Sequence, residues 1–322
     1  MSSIPDRNTR AWSHALLILL AICVALPSVA DDTCSSIGKT SNTPGTFYAR
    51  FCVDETDTAS AIPTAVAATD GTAATAHTLD IWLDTGDYST HPVSSMASLD
   101  FIGTLPQFIT GYDFSPDGQT LYAINRSTNQ FGTYGISAAT FTSIGALTPP
   151  SGELWVSLVV DPVSGTIYGF SLDEVNQTGT LLTIDPATAA QTTVGTINAD
   201  VLGASMNCDG EMFAISLFTD NLYQIDPATG NATLVGSLGI GLNFAQDIDF
   251  DNDTGILYHW AYEDGGDANY GTLDTTTGAF SLIDDLPSFE LYIGAVRNSC
   301  DAAIFIDGFE SGNTAAWDLA TP

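Results

Sequence analysis

From residue 79 onward the apolar positions fall in short runs separated by turn residues, and the runs recur. One unit is a strand ending in a turn: Tyr112-Asp-Phe114-Ser-Pro-Asp-Gly118, Val159-Val160-Asp-Pro-Val-Ser-Gly165, Ser205-Met206-Asn-Cys-Asp-Gly210 and Asp249-Phe250-Asp-Asn-Asp-Thr-Gly255. Phe114, Val160, Met206, Phe250 and Val296 stand 46, 46, 44 and 46 residues apart. After each turn an apolar run follows, at 121–124, 167–170, 212–215 and 257–260. Short aromatic-rich runs bounded by turns predict strands buried on both faces. A second marker is a β-branched residue followed by Gly, at Ile102-Gly103, Ile144-Gly145, Val194-Gly195 and Val235-Gly236, with a degenerate copy at Ile283-Asp284.

Four short antiparallel strands every forty-odd residues is the period of a β-propeller blade. The first marker of an outer strand is at Ile102 and the last of an inner strand near Val296, so the partial units at the two ends complete one blade. Placing a strand near 292–296 in one sheet with a strand near 98–102 closes the ring and satisfies both edges. The chain is therefore expected to be an all-β propeller of five blades, closed by its N- and C-terminal strands. A sixth blade would have to come from residues 46–83, whose Ala/Thr composition disfavours it.

The flanks read differently. Arg7 and Arg10, an apolar run at 15–26 and Pro27-Ser28-Val29-Ala30 before Asp31 predict a secretory signal peptide over 1–30. The run is shorter than the roughly 20 residues of a membrane span, so no transmembrane segment is expected after cleavage. Residues 31–78 form an N-terminal extension with a strand expected at 46–51 and a linker in which 15 of the 23 residues from Thr56 to Thr78 are Ala or Thr. The propeller is assigned to 79–306 and a tail to 307–322. In an oxidising compartment Cys34 and Cys52, the nearest pair, are expected to bridge, restraining their segment by up to about 3 kcal/mol. Cys208 and Cys300 fall two blades apart and are expected to lie beyond the roughly 7 Å limit of a disulfide.

Charge narrows the partners. With 38 acidic and 6 basic residues, a formal net charge of -32, no basic face can be assembled, and nucleic acid is excluded. The same charge repels anionic membranes and other copies of the chain, so a monomer is expected, and it attracts divalent cations.

The segments Leu222-Tyr-Gln-Ile-Asp-Pro-Ala-Thr-Gly230 and Phe114-Ser-Pro-Asp-Gly-Gln-Thr-Leu-Tyr-Ala-Ile124 resemble the secreted bacterial propellers of the YVTN, NHL and quinoprotein-like repeat group. The resemblance covers about two thirds of the chain and implies blades and turns. Binding modules, lactonases, lyases and dehydrogenases all share such scaffolds, so it implies no particular activity. The quinoprotein version continues to a Trp where Val235 stands here, and no cofactor is required. The segment from Asp307-Gly-Phe-Glu310 to Trp317 is similar to a tail on secreted gammaproteobacterial proteins.

Candidate chemistry is sparse. No Gly-x-Ser-x-Gly elbow, HExxH, phosphate loop or dinucleotide fingerprint occurs. His259, between Tyr258 and Trp260, is expected to be structural, and His91 falls in a loop with no evident partner. Loops leading into the inner strands should gather at one mouth of the channel, where they carry Glu153, Trp155, Asp200, Asn243, Asp247, Glu290 and Tyr292. These read either as a solvated acidic rim or as a cation or sugar site in which the aromatics stack on a ligand. Asp249, Asp251 and Asp253 alternate like the opening ligands of a calcium loop, but Thr254 and Trp260 stand where an EF-hand needs Gly and Glu. Weak, stabilising Ca²⁺ binding there is the competing reading to an ordinary Asp/Asn turn. The expected function is secreted or surface-exposed, non-enzymatic binding of an extracellular glycan, protein or small molecule. The alternative is a metal-assisted hydrolase or lyase working in the channel.

Overall fold

The computed structural model describes residues 74–81, 86–244, 246–264, 266–286, 292–297 and 300. The described residues contain twenty strands in five four-stranded antiparallel sheets and no helix. Blade I holds β1 (Thr75–Asp80), β2 (Asp87–Pro92), β3 (Asp100–Thr104) and the last strand, β20 (Tyr292–Arg297). Blade II is β4 (Ile109–Phe114), β5 (Leu121–Asn125), β6 (Gln130–Tyr134) and β7 (Phe141–Ala146). Blade III is β8 (Leu154–Val160), β9 (Ile167–Asp173), β10 (Thr178–Ile184) and β11 (Gln191–Ile197). Blade IV is β12 (Val201–Met206), β13 (Met212–Ser216), β14 (Asn221–Ile225) and β15 (Ala232–Ser237). Blade V is β16 (Asp247–Asp251), β17 (Ile256–Tyr262), β18 (Ala268–Leu273) and β19 (Phe280–Leu286).

The inner strands β4, β8, β12, β16 and β20 each contact the next, and β20 returns to β4. The chain is a five-bladed β-propeller. Closure is made in blade I, whose strand order is β20-β1-β2-β3. The terminal strands share one sheet as expected, but β20 pairs with β1, from Thr75 opposite Arg297 to Asp80 opposite Tyr292. Residues 75–78, assigned by composition to the linker, belong to that strand.

The core lies between blades. Four apolar clusters fill the interfaces, with Phe131, Trp155 and Ile184 between blades II and III and Phe213, Ile248 and Phe250 between IV and V. Fully burying such a side chain is worth about 1.5–3 kcal/mol, and both faces of a middle strand contribute, which is why β13 is buried at every position.

The β-branched-Gly marker turns out to be a β-bulge repeated in all five outer strands. Ile102, Ile144, Val194, Val235 and Ile283 are the residues skipped in the pairing with the neighbouring strand. The glycine that follows faces the last turn of the next blade: a Cβ on Gly195 would overlap the Thr229 carbonyl, and one on Gly236 the Thr277 carbonyl. Asp284 replaces glycine at the fifth junction. There Asp284 Oδ2 accepts hydrogen bonds from Ser95 Oγ (2.8 Å) and Met96 N (2.5 Å), so the junction that closes the ring is held by a carboxylate.

Cys208 and Cys300 are joined by a disulfide with a Cα–Cα distance of 5.5 Å, which corrects the sequence expectation. Inner strands converge on the axis, so turns two blades apart meet across it, and Cys300 lies against the β12–β13 turn of blade IV. Cys34 and Cys52, the expected strand at 46–51 and the tail at 307–322 lie outside the described residues. Replacing both Cys208 and Cys300 with Ser is expected to lower stability by about 2–5 kcal/mol, measured by denaturant unfolding. Non-reducing peptide mapping should recover the 208–300 linkage in the parent.

Candidate functional site

The axis has a loop face, where connections enter the inner strands, and a turn face, where the inner strands end. The residues expected at the loop-face mouth are mostly occupied in bracing the blades. Glu153 accepts hydrogen bonds from Ser171 Oγ (2.5 Å) and Thr180 Oγ1 (2.9 Å), tying the loop before β8 to β9 and β10. Asp200 is buried and accepts from Ser216 Oγ (2.7 Å) and Phe218 N (2.6 Å). Trp155 has no exposed surface and lies in the core between blades II and III, so its ring is not offered to a ligand. Tyr292 and Asp247 are buried within β20 and β16. Asn243 N donates to Tyr262 O (2.8 Å). Glu290 lies outside the described residues.

A repeated polar position missed by the apolar markers emerges here. Gln107, Glu153, Asp200 and Gln246 are spaced by 46, 47 and 46 residues. Each side chain bonds the second strand of its own blade. Gln107 accepts from Asn125 Nδ2, Glu153 from Ser171, Asp200 from Ser216, and Gln246 Oε1 lies 2.9 Å from His259 Nε2. The 46-residue spacing could have revealed it had polar residues been aligned as well as apolar ones. His259 is thus structural, and burial lowers its pKa to about 3. His91 is not in a loop. It is buried in β2, where Nδ1 lies 3.0 Å from Pro92 O and 3.2 Å from Ser95 O, and its ring stands edge-on to Tyr270 at 5.1 Å.

On the turn face a small recess touches all five inner strands, through Asp113, Val160, Met206, Asp249 and Val296, with Ser115 and Asn252 beside them. It leaves about 10 Å³ for the centre of a water-sized molecule, room for about one water. Its carboxylates bridge blades. Asp113 Oδ1 accepts from Phe114 N (2.6 Å) and Oδ2 from Val160 N of the next blade (2.7 Å). Asp249 Oδ1 accepts from Ser205 Oγ (2.6 Å) and Phe250 N (2.9 Å), and Oδ2 from Val296 N of the next blade (2.6 Å). Asn252 Oδ1 accepts from Cys208 N at 3.1 Å.

Burial and the charge of Asp249 push the Asp113 carboxyl well above the usual range, and burial first, then Asp249 and Asp113, does the same to Asp247. Burial raises Asp249 to about 7, against the hydrogen bonds from Ser205, Val296 and Phe250. The recess can therefore hold a proton among coupled carboxyls.

The aspartates of the calcium reading do not converge. Asp249 faces the axial bonds just described, whereas Asp251 accepts from Asp253 N (3.1 Å) and Thr254 Oγ1 (2.8 Å) of its own turn, and Asp253 is exposed. Among the described residues no three His, Cys, Asp or Glu side chains are grouped to hold a metal. The donor set fits an Asp-capped turn, as at Asp185, Asp226 and Asp274, whose pKa values are lowered by the hydrogen bonds they accept, and at Asp161, where partial burial raises the pKa but the hydrogen bonds from Ser164 and Val163 outweigh it.

No protein-family model and no curated protein matches the chain. Among solved structures, a chain of a nidogen/laminin complex superposes with a TM-score of 0.46 at 12% identity, covering 70% of this chain and 99% of that one. TolB from Acinetobacter baumannii gives 0.42 at 13% identity, covering 68% and 54%. A protein of unknown function from Bacteroides caccae gives 0.41 at 10%, covering 67% and 73%. At these identities the likeness concerns fold alone.

Two outcomes test the site. Because the Asp249 pKa is raised in the folded state, its ionisation costs stability progressively as pH rises from about 4 to about 7. His77 and His259, lowered to about 4 and about 3 by burial, act oppositely, costing stability as pH falls below about 6.5. The two effects overlap in the parent, so the difference is diagnostic: the stability of Asp249→Asn relative to the parent should rise from pH 4 to 7 and then level off. A pH-independent difference in chemical denaturation would refute the assignment. Glu153→Ala, which leaves Ser171 and Thr180 without their acceptor, should cost about 1–3 kcal/mol in the same assay.

Proposed function

We propose that the protein is a secreted, non-enzymatic binding propeller that meets an extracellular ligand on its exposed surface. One observation carries the reading: Asp113 and Asp249 have their oxygens engaged in hydrogen bonds that join neighbouring blades, and Glu153 and Asp200 have theirs engaged in bonds that brace their own blades. A general acid or base must exchange hydrogen-bond partners as it gains and loses a proton, and at these positions that would loosen a strand the carboxylate holds. Such a scaffold suits recognition by surface loops.

Secretion is supported by the signal-like segment 1–30 and by the Cys208–Cys300 disulfide, a bond that persists in oxidising compartments. No described helix is long and apolar enough to cross a membrane. The ligand is a glycan, protein or small molecule outside the cell, and no cofactor is needed.

Purified protein assayed against lactones, esters and uronic-acid polysaccharides, with Ca²⁺ and with chelator, is expected to show no turnover. Its melting temperature should be the same in Ca²⁺ as in NaCl of equal ionic strength. Metal-dependent turnover abolished by Asp113→Asn or Asp249→Asn would establish the hydrolase or lyase reading instead.

A further inference from the structure

The loop face carries an apolar surface that the axial chemistry does not use. Phe218, between β13 and β14, is 49% exposed, and Phe244, between β15 and β16, is 55% exposed. Their loops are fastened together. Asp220 Oδ1 accepts from Leu242 N (2.7 Å) and Asp220 O from Leu238 N (2.9 Å). The second loop is fastened in turn to blade V, where Asn243 N donates to Tyr262 O (2.8 Å) and Asp264 N to Gly241 O (3.1 Å). The Phe244 ring lies 6.1 Å from that of Tyr262. Leu242 is buried beneath the loop, with Ile240 and Leu217 half-buried in the same cluster.

Both phenylalanines are held in place. Phe218 N is bonded to buried Asp200. Phe244 has φ of 51°, a conformation that costs a bulky residue about 1–3 kcal/mol and persists only where the surroundings impose it. Here Gln246 Nε2 donates to the carbonyls of Asn243 (3.2 Å) and Phe244 (3.5 Å). An exposed aromatic ring held at a backbone cost is arranged for contact, since rigid aromatic anchors supply much of the energy of an interface.

Charge selects the occupant. Acidic residues sit in the same bonded loops: exposed Asp264, whose N–H bonds Gly241 O, exposed Asp267, whose carbonyl takes Glu263 N, and half-buried Asp220 and Glu263. The only Lys or Arg among the described residues are Arg126 in blade II, which stacks on Phe108 at 5.4 Å, and Arg297 at the end of β20. A second copy, with its own charge of -32, would be repelled. A segment carrying Lys or Arg beside apolar side chains gains from both components: the rings take its apolar residues, with cation–π contact available, and the carboxylates take its charge.

We propose that the Phe218–Phe244 patch, with Asp264 and Asp267 in the bonded loops, docks a basic polypeptide segment that alternates cationic and apolar residues. This rests on the reading of the protein as a binding propeller and specifies its site and partner chemistry.

The test uses the purified protein and a fluorescein-labelled peptide of alternating Lys and Leu, followed by anisotropy, with a Glu/Leu peptide as control. The Lys/Leu peptide should bind with an affinity that falls as salt rises. Phe218→Ala with Phe244→Ala should weaken binding by about tenfold or more while the protein still unfolds in one cooperative transition, its melting temperature lowered by only a few degrees because both rings are about half exposed. Asp264→Asn with Asp267→Asn should weaken it and flatten the salt dependence, whereas Asp209→Asn, on the turn face, should do neither. Unchanged binding in the double-Phe variant would overturn the proposal, reducing the attraction to bulk charge. Equal binding of the Glu/Leu peptide, or displacement by neutral dextran, would overturn the basic-partner assignment. None of these outcomes touches the non-enzymatic reading, which the turnover assay decides separately.

Discussion

An inner strand of a propeller has a neighbour on one side only, and the backbone groups along its other edge need partners where little water reaches. Here side chains of the preceding blade supply them. Asp113 takes the N–H of Val160, Ser205 that of Phe250, and Asp249 that of Val296. Three of the five junctions around the axis are therefore sealed by a side chain from one strand bonding the backbone of the next. The low-dielectric setting that makes an unpaired amide costly also makes these carboxyls hard to ionise. The raised pKa values and the engagement of the recess carboxylates with backbone N–H groups follow from one requirement.

The architecture was legible because burial on both faces leaves its mark in composition. β5, β9, β13 and β17 read as apolar runs, and the bulge leaves a glycine that the neighbouring turn requires. β1 is their equivalent in blade I, and composition assigns its first four residues, 75–78, to a linker. Its sequence is Thr-Ala-His-Thr-Leu-Asp, yet five of its six residues are buried. Small side chains and His77, bonded to Tyr88 Oη at 2.6 Å, fill space that larger apolar residues fill elsewhere. Composition alone cannot separate such a strand from a loop.

The candidate site was less legible. Sequence placed Glu153 and Asp200 correctly in loops before inner strands, but whether a carboxylate faces solvent or a hydroxyl two strands away depends on tertiary packing. Trp155 shows the same limit from the other direction, because one step along β8 separates a surface position, Leu154, from a fully buried one. The Cys208–Cys300 disulfide escapes a count of blades because the two turns, separated by a blade along the ring, meet across it.

The closure of blade I has a consequence for how the molecule comes into being. Thr78 Oγ1 bonds Ile293 O across 215 residues, so the first described strand waits with one edge unpaired until the last has been made. During synthesis, blades II to V can associate with their neighbours while the ring is still open. Such long-range pairing is slow, and an open edge is a site for mispairing. A ring completed by the last of its described strands is therefore assembled only after about 220 residues of propeller have been made, so the protein's stability arrives late and all at once.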